Sequence, residues 1–134
     1  MHKIMLSLST VILLSAAQIA SAQEMPAACS GGGEHMGHQM PGMTDMSGMN
    51  DMQKALTEGM DKMNSAMMMG MTIGDPDVAF VCGMIPHHQG AIDMARAALQ
   101  YGKDPWVNEL ARKVIDAQTQ EIADMKKWLG EHAR

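Results

Sequence analysis

Phe80-Val-Cys-Gly-Met-Ile-Pro-His-His-Gln-Gly-Ala-Ile-Asp-Met94 sets two adjacent histidines among thioethers and apolar residues at helical spacing. At about 100° per residue, Phe80, Met84, His88, Ala91, Ala95 and Ala98 share one side, flanked by Val81, Ile85, Ile92 and Leu99. Gln89, Asp93, Arg96 and Gln100 lie opposite. The pattern predicts a helix that buries the first side, with His88 inside the stripe and His87 at its edge beside Met94. A buried imidazole needs a partner, either a hydrogen-bonding group or a metal. Pro86 removes the donor that the Cys82 carbonyl would use, so a kink is expected just before the histidines.

Working outward, Asp75-Pro76 is a helix start: Asp caps and Pro takes the first turn. The helix should run to Tyr101 and end at Gly102. Asp104-Pro105 repeats the start signal, and so short a connection forces an antiparallel hairpin. A third helix is expected from Trp106 to Leu129, stopped by Gly130. Its apolar side comprises Val107, Leu110, Ala111, Val114, Ile122, Met125, Trp128 and Leu129, with Gln118 and Glu121 as polar exceptions. A turn near residue 103 sets His88 opposite Gln118, and Met84 and Ile85 opposite Ile122 and Glu121. Either a His–Gln/Glu hydrogen-bond network or a metal centre follows. The metal set would be Met84, His87, His88, Met94 and Met125, with Gln118 and Glu121 supporting the imidazoles.

Upstream, residues 1–22 have the form of a cleaved signal peptide: Lys3, an apolar run, then Ala20-Ser21-Ala22. The expected mature chain starts at Gln23 and works in the periplasm, free of the membrane once cleaved. Losing Lys3 leaves nine basic against fifteen acidic residues, so the formal charge moves from −5 to −6. An acidic chain without basic patches gives no electrostatic case for nucleic acid and favours cations. Cys29 and Cys82 are 53 positions apart with no CxxC. An oxidising compartment allows them to pair without requiring it, Cys82 falling on the polar side of its helix.

Residues 23–50 carry Gly31-Gly32-Gly33, Pro26 and Pro41 and are expected to be a disordered tail before a helical domain spanning 51–134. His35, Met36, His38, Met40, Met43, Met46 and Met49 lie within it. Twelve methionines fall between Met36 and Met71. Met52, Leu56, Met60, Met63 and Met67 keep a 3.6-residue period. They predict a first helix from a cap at Asn50 or Asp51 to near Gly70, its methionines filling core. The tail has no core to fill, and exposed thioethers are otherwise costly. A thioether is a soft, neutral ligand for Cu(I), and for Ag(I) by similar softness. It needs no deprotonation and is not lost to disulfides. The fold class expected is all-α: an antiparallel helical hairpin plus a Met-rich helix, of ferritin-like or up-down bundle type, with one apolar face that either the tail or a second copy, as a homodimer, would cover.

The run MIPHHQGAIDMA, followed by GKDPWVNELA, AQTQEIADM and a closing WL, covers roughly Asp75 to Leu129. It resembles the bacterial domain-of-unknown-function family that includes CopM-like periplasmic copper-binding proteins. The resemblance implies a small bundle of ferritin-like or up-down type, and a link to copper binding or copper tolerance. Catalysis is not expected. No glutamate has a histidine three positions on, HExxH is absent, and the triple glycine follows no strand. Expected instead is a protein that sequesters Cu(I) or passes it to a copper-transfer partner. A helical interaction module with a Met-rich surface and a Met-based oxidant sink are the alternatives.

Overall fold

The computed structural model describes residues 25–29 and 46–132. Three helices follow a short 3-10 turn at Ala27–Cys29: α1 (Asp51–Gly70), α2 (Pro76–Tyr101) and α3 (Pro105–His132). Among the described residues there is no strand, and no helix is long and apolar enough to cross a membrane. The architecture is all-α and bundle-like. Central α2 packs against α1 on one side and α3 on the other.

Local sequence explains the ends. The Asn50 side chain accepts from the Gln53 amide at 3.0 Å while the Gln53 side chain accepts from the Asn50 amide at 2.9 Å. This reciprocal cap satisfies two otherwise unpaired donors. Asp75 accepts from the amides of Asp77 and Val78 at 2.9 and 3.0 Å, and Asp104 accepts from Val107 at 3.0 Å. Gly102 caps α2 as expected, with φ −79°, outside the left-handed region. Glycine is needed there because a Cβ would come within 2.5 Å of the Ala98 carbonyl oxygen. Gly130 does not stop α3, which continues to His132. A Cβ at Gly130 would meet nothing, so the residue marks no structural boundary.

The buried side of α2 also differs from the expected stripe. It comprises Val78, Cys82, Ile85, Pro86, His88, Gly90, Ile92, Ala95 and Ala97, whereas Phe80 is 67% exposed. Apolar residues occur all around this helix, so their period marks a helix without marking its inner side. Cys82, placed on the polar side by the wheel, is fully buried and bonded to Cys29. Ala27–Cys29 is therefore ordered against α2, contrary to the disorder expected for this part of the tail. Cys29, Val78, Cys82, Ile85, Ile92, Ile122 and Leu129 form the core. Pro86 is buried within an α2 that continues past it.

Helix α1 meets α2 through small residues. A Cβ at Gly70 would lie 2.9 Å from the Gly83 backbone nitrogen, and one at Gly90 would lie 2.6 Å from Met63 Sδ. Packed chiefly against α2, α1 buries only Thr57 and Gly70. Its methionines do not fill a core as expected: Met52, Met60 and Met68 are exposed, as is the capping Met71, and Met63, Met67 and Met69 are half-buried.

Candidate functional site

The two histidines have different surroundings. His88 is buried, and its Nδ1–H donates to the Met84 carbonyl at 2.8 Å, one turn back along α2. Its Nε2 hydrogen-bonds across to Glu121 Oε2 on α3 at 2.6 Å. Both ring nitrogens are engaged within the hairpin. His88 thus joins the hairpin through a hydrogen-bonded pair. Gln118 is not the hydrogen-bond partner of His88. Glu121 lies about one turn farther along α3, and its carboxylate forms a stronger, charge-assisted bond. Gln118 Oε1 is buried without a hydrogen-bond partner.

His87 is exposed, with its ring edge-on to that of His88 at a centroid distance of 5.9 Å. Among the described residues its ring nitrogens make no hydrogen bond. It is therefore the imidazole of the pair that is open to an incoming ligand. Met84 is half-buried one turn before it, and Met94 is exposed two turns after it. Met125 packs half-buried against the core. Met46 and Met49 are half-buried in a turn before α1, where the Thr57 hydroxyl donates to Met49 Sδ at 3.6 Å. His35, Met36, His38, Met40 and Met43 lie outside the described residues.

Among the described residues, no three His, Cys, Asp or Glu side chains converge as a metal site would require. What α1 and α2 present instead are thioethers at the surface, with His87 among them. The wheel reading missed the exposure of Met52 and Met60 because α1 periodicity had assigned them to the core. It also missed a cleft of about 390 Å³ between α1, α2 and Met25, whose lining includes Met63, Ile85, Gln89 and Asp93.

Fold and surface together define a small disulfide-bonded helical protein with a methionine- and histidine-bearing exterior. Residues 11–129 match the family described as Domain of unknown function (DUF305), and the chain belongs to that family. It is also 40% identical over 55 residues to the Uncharacterized protein L153 of Acanthamoeba polyphaga mimivirus. That match covers 41% of this chain and 36% of the relative, so it spans about a third of the relative's length.

Proposed function

We propose that the protein binds copper as Cu(I), with Ag(I) as a second cargo, and sequesters the ion or passes it to a copper-transfer partner in the periplasm. Exposed thioethers carry this assignment. Met68 and Met71 are 60% and 66% exposed, and Met94 is 45% exposed. Methionine normally serves as pliable core filling, and leaving it in water forfeits its burial energy. Soft, neutral sulfur is suited to Cu(I), which provides a reason for the exposure. The Cys29–Cys82 disulfide is in keeping with an oxidising compartment. In such a compartment the protein's thiols are unavailable and thioethers remain the soft donors. No catalytic role is proposed.

The test is anaerobic Cu(I) titration with native mass spectrometry of the protein starting at Gln23. Thioethers take up no proton, so binding by the Met36–Met49 segment should persist at about pH 5, below the ordinary histidine range. Replacing Met36, Met40, Met43, Met46 and Met49 with leucine should remove at least one bound ion and leave helix content unchanged. Unchanged stoichiometry would take copper away from that segment. An oxidant sink would instead accumulate sulfoxides under mild peroxide equally with and without bound Cu(I). Sustained oxygen uptake with Cu(I), above a metal-only control, would reverse the assignment as a non-enzyme.

A further inference from the structure

Among the described residues, one side of central α2 is left uncovered. Gly83 and Gly90 mark where α1 approaches and His88 where α3 is met. Between them run Phe80, Met84, His87, Ala91, Met94, Ala98 and Tyr101, each exposed or half-buried. Their spacing alternates four and three, the repeat by which one helix packs along another. None is charged, whereas the chain carries a net charge of −5, so copies that repel elsewhere can meet here. The stripe is about 31 Å long. With flanks from α1 and α3 about 20 Å wide, it offers roughly 600 Å² per copy, about 1,200 Å² for a pair, the lower range for specific dimers. At the Tyr101 end, α3 adds exposed Trp106, Val107 and Leu110.

The order of residues is nearly the same read from either end. An antiparallel second copy centred on Ala91 would set Phe80 beside its Tyr101, Met84 beside its Ala98, and His87 beside its Met94. Ala91 would meet Ala91, where small side chains let the helices approach. We infer that the protein is a two-fold symmetric dimer through this stripe, and that Met84 and His87 of one copy with Met94 of the other form a shared Cu(I) site. Within one chain Met94 lies seven residues beyond His87, about 10.5 Å along the helix, too far to share an ion without distortion. The second copy completes the site. One nitrogen and two thioethers suit a soft monovalent ion, and symmetry gives two such sites. The shared site rests on the Cu(I) assignment above; the dimer does not.

Sedimentation equilibrium of the metal-free full-length mature protein should give a dimer, and Ala91→Arg a folded monomer. Ala91→Cys should cross-link to a covalent dimer under mild oxidation, with Arg96→Cys, on the far side of α2, as the control that does not. His87→Gln and Met94→Leu should each lose one Cu(I) per chain while remaining dimeric. Mixing these two variants should restore about a quarter of the lost sites, because half of the dimers are mixed and each has one intact site. A monomer that still binds Cu(I) would overturn the shared site and leave the copper assignment intact. Dimers in which mixing restores nothing would overturn the shared site alone. Absence of Cu(I) binding by the unmodified protein would overturn both the shared site and the copper assignment.

Discussion

His87 and His88 are neighbours with opposite roles, because a helix turns about 100° between them. His88 is directed into the hairpin, where Met84 and Glu121 occupy its two nitrogens. Replacing His88 with alanine leaves a cavity and removes the link between α2 and α3, with an expected loss of about 1–3 kcal/mol in urea unfolding. Glu121→Gln should cost less, about 1 kcal/mol or below, since that side chain is 57% exposed and water can replace it. His87→Gln should leave stability unchanged and reduce Cu(I) binding, the reverse of His88→Ala. Loss of Cu(I) binding in a folded His88→Ala protein would show that His88, too, serves the ion. The sequence placed both histidines on the correct helix. It named both Gln118 and Glu121 as supports for the imidazoles, and Glu121 is the one that bonds His88; pairing by level favoured Gln118 because it takes no account of the reach or charge of Glu121.

The three helices differ in how far local sequence determines them. Asp75-Pro76, Asp104-Pro105 and Asn50 are short-range signals, and the helices begin beside them, as the caps require. The inward side of α2 was not legible, since apolar residues surround it and only two flanking helices decide which are covered. The approach of α1 was equally hidden, because it depends on glycines that carry no pattern of their own. They give a graded prediction. Gly70→Ala meets the Gly83 backbone at 2.9 Å, and backbone cannot swing aside. Its expected cost is about 2–3 kcal/mol, separating α1 from α2. Gly90→Ala meets mainly the mobile end of Met63 and should cost about 1 kcal/mol. Gly130→Ala meets open space inside α3 and should gain about 0.5–1 kcal/mol. Thermal melts of the three variants should fall in that order.

At the scale of the whole molecule, the bond between Cys29 and Cys82 compensates for a small core. Its loop closes across 53 positions of sequence, and constraint of the unfolded chain alone is worth about 4 kcal/mol for a loop of that size. A Cys29→Ser, Cys82→Ser double variant should therefore lose about 3–5 kcal/mol and melt well below the oxidised protein. Sequence could not decide the pairing, as neither cysteine carries a local sign of its partner and the wheel turned Cys82 outward. Topology has a further consequence. Residues 29–82 form a closed covalent ring that holds α1 and the methionines from Met36 to Met71. A protease cutting anywhere within that ring opens it without dividing the molecule. The nicked protein should run as one species until reductant is added, then as two fragments. An ion carried on those methionines would travel with the body of the protein through such damage instead of leaving on a severed peptide.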